Sequence, residues 1–246
     1  MKKINTYIIE KLRINKDINK YRYYPKDGKE LKSLIKKLIK ERGNKADLND
    51  IDTSNITDMS SLFYDSRFNG DISEWDVSNV TDMGHMFYGS KFNQDISKWN
   101  VSNVTNMSFM FNNSEFNGDI SRWNVSNVIN MNFLFMNSYF NGDISAWNVS
   151  NVIDMIGMFH GSNFNKDISK WNVSNVEHMA DMFYNSKFNK DISSWDVSKV
   201  ENMVSMFMGS VFNQDISSWD VSKVKNMSNM FKDSPLEKNP PKWYKI

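Results

Sequence analysis

The chain of 246 residues contains no cysteine. Disulfide bonds, zinc–thiolate sites, cysteine nucleophiles and a lipid-attached cysteine are therefore excluded within this sequence. Histidine and proline are also scarce, with three and four residues. No glycine-rich phosphate loop and no dinucleotide-binding fingerprint occurs. From these absences we expect a protein that is not an enzyme and that carries no cofactor.

Long apolar runs are absent as well. No stretch approaches the roughly 18 consecutive apolar residues of a membrane span. Near the start of the sequence, Glu10, Lys11 and Arg13 interrupt the apolar residues too early for a secretory signal. The sequence as it stands therefore predicts a cytoplasmic protein without a membrane span.

Charge is balanced overall but unevenly distributed. Residues 1–43 contain 14 Lys and Arg against 5 Asp and Glu, a net charge of +9, whereas the other 203 residues contain 16 against 24, a net charge of −8. The basic segment is interpreted either as a site for an acidic partner or as the lysine-rich, solvated side of short helices. The basic aromatic stretch at 20–24 is too weak a signal for nucleic-acid binding, and we expect no nucleic-acid partner.

A repeat of 24 residues dominates the chain after residue 43. Eight units run without insertion or deletion from residue 44 to 235, and a partial ninth follows. We call each unit a coil, and the residues at the same place in successive coils a column named after one member. Three apolar columns illustrate the regularity: Trp75, Trp99, Trp123, Trp147, Trp171, Trp195, Trp219 and Trp243; Met83, Met107, Met131, Met155, Met179, Met203 and Met227; Phe87, Phe111, Phe135, Phe159, Phe183, Phe207 and Phe231.

One coil is too short to bury its own large apolar side chains, so the coils are expected to stack. The spacing of Val80, Met83, Met86 and Phe87 predicts a short helical or 3₁₀ turn. The segment Asp71–Ser73 predicts a very short strand that pairs in parallel with its copies. The expected fold class is an α/β repeat solenoid, leucine-rich-repeat-like, with an all-β right-handed β-helix as the alternative.

The pattern NxDISxWDVSNVTDMxxMFxxSxF resembles the BspA-like leucine-rich-repeat family of bacterial proteins, whose 24-residue repeats also occur in mycoplasma-lipoprotein-type sequences. The resemblance covers all eight coils. It implies a leucine-rich-repeat solenoid with the strand around Asp71–Ser73 on one face and the Met-Phe turn on the other. It also implies adhesive or host-interaction roles at a cell surface, although this sequence shows no secretory signal, lipobox or wall anchor.

The two ends of the array differ from its interior. Leu31, Leu34, Ile35, Leu38 and Ile39 have helical spacing, which predicts an amphipathic capping helix over 29–42. Pro240 and Pro241 predict that strand pairing stops there. We therefore expect an N-terminal segment and cap at 1–43, repeats at 44–235 and a C-terminal cap at 236–246. A second amphipathic stretch, with Ile4, Tyr7, Ile8 and Leu12, is interpreted either as packing on the cap or as a docking segment for another protein.

The most regular polar residues are interpreted as structural. The Asp71 column is expected to accept hydrogen bonds from backbone N–H groups, with calcium binding as the less favoured interpretation. The repeated serines occur in eight copies, unlike a catalytic serine. The three histidines occupy three different columns, so no metal site is expected.

The residues that determine partner specificity must therefore lie at the positions where the coils differ. Five variable apolar residues of the third to fifth coils are the candidate partner-binding residues: Phe109, Phe133, Met136, Tyr139 and Ile156. They form an apolar patch if they face outward, and the alternative is that they pack between neighbouring coils. The sequence favours a non-enzymatic protein-interaction module, monomeric or weakly self-associating. The alternatives are a structural, assembly or adhesin-type protein and an acidic mimic of nucleic acid.

Overall fold

The computed structural model describes residues 20–245. Within these residues one α-helix, α1, spans Gly28–Arg42, and a short 3₁₀ helix spans Pro235–Glu237. No helix in this part of the chain is long and apolar enough to cross a membrane. The residues assigned for docking, Ile4, Tyr7, Ile8 and Leu12, lie outside the described residues, so their role stays a prediction.

Helix α1 lies over the first coil. The side chain of Asp27 accepts a hydrogen bond from Glu30 N–H at 2.8 Å, which satisfies one of the N–H groups that a helix start leaves without a partner. Gly43 ends the helix with a φ of 88°, a left-handed conformation suited to glycine, and its N–H bonds to the Ile39 carbonyl. The buried side of α1 consists of Leu31, Ile35 and Leu38, so this helix covers the apolar end of the array.

The eight coils stack in register along the chain. Backbone hydrogen bonds join residues of neighbouring coils, as between Met83 N–H and the Asn106 carbonyl at 3.0 Å. Isolated parallel bridges run through one column from end to end: Asp58, Asp82, Asn106, Asn130, Asp154, His178, Asn202 and Asn226. The strand expected at Asp71–Ser73 is not formed, because Asp71 makes one isolated bridge, to Asp47.

The segment 82–89 and its counterparts in the other coils, which we call the turn segment, is not the helical turn that the apolar spacing predicts. His85 and Gly89 have left-handed φ angles of 58° and 62°, which interrupt the uniform negative φ of a helix. The result is a series of β-turns, with bonds such as Met86 N–H to the Met83 carbonyl. Alternate backbone N–H groups donate instead to carbonyls of the next coil. The backbone of the segment is therefore hydrogen-bonded although it forms neither a strand nor a helix.

The core is a set of stacked side-chain ladders. In the third coil Trp99 is 4% exposed, and Phe92, Met107 and Phe111 are fully buried. Phe111 stacks on the phenylalanine of the preceding coil at 5.6 Å and on that of the following coil at 5.8 Å between ring centroids. Each indole N–H also donates across coils, as from Trp99 Nε1 to the Ile72 carbonyl at 3.2 Å. The tryptophan column therefore provides both apolar burial and a hydrogen bond that fixes the register.

Candidate functional site

The polar columns hold the turns of each coil. Every aspartate of the Asp71 column accepts a hydrogen bond from the backbone N–H two residues later, as Asp143 does from Ser145 at 2.9 Å. This backbone N–H is the main cause that lowers the pKa of Asp143, as of most of its neighbours in the column. In another column, the hydroxyl oxygen of Ser114 accepts from Phe116 N–H at 3.1 Å. These side chains are engaged in local turns of the type that Asp and Ser stabilise.

The histidines lie in separate environments. His160 stacks on Tyr184 at 4.5 Å, and its buried Nδ1 has no hydrogen-bond partner among residues 20–245. Burial lowers the pKa of His160 and raises that of nearby Asp181. His178 lies instead 3.8 Å from Asp154. In the same range no group of three or more His, Asp or Glu residues is arranged to hold a metal ion.

The structure brings part of the predicted partner-binding set together on the turn segments of successive coils. The rings of Phe109 and Phe133 stack at 4.7 Å, and His85 continues the row with a ring 4.5 Å from Phe109. Beyond Phe133 the column holds Gly157, where a Cβ would lie 2.3 Å from the Phe133 ring. The glycine therefore leaves room for the ring to lie flat on the next coil.

Both phenylalanines have a left-handed backbone. Their φ angles are 58° at Phe109 and 55° at Phe133, a region that is unfavourable for a bulky side chain. Other coils place Ser205, Asn229 or Gly157 in the same column with similar φ. The backbone thus requires a left-handed residue here, and nothing in its geometry requires a ring.

The other members of the set are arranged differently. Met136 closes the same turn, because its N–H bonds to the Phe133 carbonyl, and Ile156 accepts through its carbonyl from Phe133 N–H at 2.7 Å. Like the two rings, Met136 and Ile156 are half-buried. Tyr139 is 65% exposed and lies instead beside a polar groove of about 520 Å³ that Asn113 and Asn137 also line.

Two exposed residues of the turn side were not in the predicted set. Ile129 is 44% exposed and directly precedes the bridged residue Asn130. Tyr64, in the first coil, is 47% exposed and stacks on Tyr88 at 4.6 Å. Ile129 differs from the threonines at its place in the preceding coils, and that substitution was the available sequence signal. We refer to Phe109, Phe133, Met136 and Ile156, which lie on the turn segments of three successive coils, as the apolar patch.

Comparison with known proteins identifies the family. A family model described as "Mycoplasma protein of unknown function, DUF285" matches residues 29–139, 112–210 and 136–243. No curated protein and no solved structure matches the chain. The three overlapping matches together cover the capping helix and the whole repeat array. The chain therefore belongs to the Mycoplasma repeat family of unknown function, DUF285.

Proposed function

We propose that the chain is a non-enzymatic protein-interaction module that binds a protein partner through the apolar patch on its turn segments. The observation that carries this proposal is the row of Phe109 and Phe133. Two stacked, half-buried rings occupy left-handed backbone positions that favour glycine or asparagine. Strained positions of this kind persist where function selects the side chain.

The rest of the array supports a binding role over catalysis. The repeated Asp and Ser side chains accept hydrogen bonds from their own turns, as Asp143 and Ser114 do. A nucleophile needs a base beside it, and the hydroxyl oxygen of Ser114, like those of its column, instead accepts from a backbone N–H of its own turn. Repeat proteins with such uniform columns present extended surfaces on which the variable residues select a partner.

The fold family and the cellular location of the chain belong to the same proposal. We place the coils with BspA-like leucine-rich-repeat solenoids on the strength of the repeated sequence pattern, with short backbone pairings in the place of regular strands. The cellular location stays open between the cytoplasm and the display at a cell surface that the resemblance implies. A crystal structure of the purified chain and fractionation of the native cell test these two points.

The direct test of the patch is partner capture with matched variants. The full chain is immobilised and exposed to lysate of the native organism, beside a variant with Phe109→Asn and Phe133→Asn. Asparagine is chosen because Asn229 occupies the same column with φ 57°. We expect the captured protein to be lost with the double variant.

The control changes apolar residues of the same side outside the patch, with Met208→Asn and Val211→Asn in the seventh coil. Val211 is 41% exposed, so its replacement leaves the core intact. We expect this control to capture the partner as the unchanged chain does. Equal capture by the Phe109/Phe133 variant, or equal loss with the control, contradicts the assignment of the patch.

A further inference from the structure

The polar groove beside Tyr139 runs along the array where the turn segments end, and it has a volume of about 520 Å³. Two neighbouring columns line it. The column that ends the turn segments contributes Asp65, Gly89, Asn113, Asn137 and Gly161. The column two residues later contributes Lys91, Glu115, Tyr139 and Asn163. The groove therefore crosses the first five coils and receives side chains from each of them.

The amides that line this groove are available to a ligand. In another column the asparagines are occupied within the fold, as Asn127 is by the Ser102 carbonyl at 2.7 Å. Asn113, Asn137 and Asn163 are instead exposed, and their amides bond to no other residue that the structure describes. A carboxamide offers two donors and an acceptor, so the groove presents unused hydrogen-bonding groups in successive coils.

One backbone hydrogen bond of the array is also absent in this groove. In the other coils that have a preceding coil in the repeat, the column of Tyr139 donates from its N–H to a serine carbonyl of that coil, as Glu115 does to Ser90 at 3.1 Å. The equivalent groups of the fifth coil, Asn163 N–H and the Ser138 carbonyl, bond neither to each other nor to another residue among 20–245. One donor and one acceptor are thus left for a ligand or for water.

Tyr139 places an aromatic ring beside these groups. Its side chain is 65% exposed, more than any other large apolar side chain in the described part of the chain. Tyr64 and Tyr88, by contrast, stack on each other at 4.6 Å. An exposed ring next to hydrogen-bonding groups suits a ligand with one apolar face and several polar substituents.

The charges in the groove favour an uncharged ligand. Lys91 and Glu115 form a salt bridge with each other, and Asp65 supplies the one further formal charge among the lining residues. A phosphate or a nucleic acid needs unpaired cations, and the groove offers none. Its other lining side chains are amides, a serine and a tyrosine.

The spacing of the coils decides between a peptide and a sugar chain. The parallel bridges between coils correspond to a repeat of about 4.8 Å, the usual separation of paired strands. An extended peptide advances by only about 3.3 Å per residue, so it falls out of step with the coils. A pyranose ring with its glycosidic link is longer than a peptide residue and comes close to the length of one coil.

We propose that this groove binds an uncharged, extended oligosaccharide of N-acetylated hexose units along the axis of the array. The Tyr139 ring covers the C–H face of one sugar, and the amides of Asn113 and Asn137 bond to hydroxyl groups. One acetamido group donates its N–H to the Ser138 carbonyl and accepts from Asn163 N–H through its own carbonyl. This site is separate from the apolar patch, and it goes beyond the protein-interaction function proposed above.

The test is isothermal titration calorimetry of the full chain with two matched sugars. Chitotetraose carries an acetamido group on every unit, whereas cellotetraose has the same linkage with a hydroxyl in its place. We expect chitotetraose to bind with a dissociation constant on the order of 1 mM or below, and cellotetraose to bind about tenfold more weakly. Absence of chitotetraose binding overturns the proposal, and equal affinity for the two sugars overturns the assigned acetamido contacts.

Two variants test the groove, each with a control in the same column. Tyr139→Ala removes the ring and is expected to weaken chitotetraose binding about tenfold. Asn137→Gly removes one amide and keeps the left-handed backbone, because Gly161 in the same column has φ 63°, and about fivefold weaker binding is expected. The controls, Val211→Ala and Asn185→Gly, lie outside the groove and are expected to bind as the unchanged chain does. Equal weakening by the controls rejects the groove as the site.

A further comparison separates this site from the apolar patch. The Phe109→Asn and Phe133→Asn variant is expected to bind chitotetraose with unchanged affinity, whether or not it loses a protein partner. Loss of sugar binding in that variant contradicts the separation of the two sites. If the unchanged chain binds no sugar and Tyr139→Ala loses a captured protein, the groove is a protein-binding surface and the proposal fails.

Discussion

The stability of the Phe109/Phe133 row is the most informative quantity to measure. Replacing both rings by asparagine removes two half-buried side chains, which costs about 1 kcal/mol each at the usual value for apolar burial. Loss of their stacking at 4.7 Å costs about 1 kcal/mol more. Relief of the left-handed strain of a bulky residue returns about 1 kcal/mol per position. The expected net loss in the free energy of unfolding is therefore only about 1 kcal/mol.

The matched control is Phe111, which lies two residues after Phe109 in the same turn segment of the third coil but is fully buried. Phe111→Ala removes stacking on both neighbouring coils and leaves a cavity, for which about 3–5 kcal/mol is expected. Urea unfolding followed by tryptophan fluorescence measures both, with the midpoint compared at equal slope. If the Phe109/Phe133 variant loses as much as Phe111→Ala, the two rings are core residues and the functional interpretation of their strain fails.

Three further results are expected. Trp147→Phe removes the indole N–H that donates to the Ile120 carbonyl at 3.0 Å, so the free energy of unfolding should fall by about 2 kcal/mol. An unchanged urea midpoint would contradict the role of the tryptophan column in fixing the register of the coils. Gly157 has a φ of 57°, and a Cβ there would lie 2.3 Å from the Phe133 ring. Gly157→Ala should therefore lower the melting temperature, and should lower it by less in a chain that already carries Phe133→Asn. Equal losses in both chains would mean that the Phe133 ring and Gly157 are not energetically coupled. Hydrogen bonds lower the pKa values of Asp95, Asp119 and Asp143 in the folded chain, so their contribution to the free energy of unfolding is complete above the ordinary pKa of 3.8 and is lost as pH falls through and below it. Changing all three to asparagine should therefore flatten the acid side of a plot of melting temperature against pH. An equally steep plot would argue against this contribution.

Much of the fold follows from the repeat, because every apolar column has one environment. Trp75, Met83 and Phe87 are buried where stacking requires it, and α1 starts one residue before the helix predicted at 29–42. The backbone conformation of the turn segment could not be predicted in the same way, because apolar residues spaced three and four positions apart suit successive β-turns as well as a helix. The signal that separates the two is the column of Gly89, Asn113 and its counterparts, where glycine and asparagine mark a left-handed backbone.

The candidate site was only partly predictable for a different reason. Sequence variability among the coils identifies the columns that are not part of the core. It does not tell how deeply a side chain of such a column is buried. Phe133 is half-buried because Gly157 in the next coil leaves space for its ring, a contact between two columns of different coils. Tyr139 is exposed because its place at the end of the coil points it towards the polar groove and away from the rings.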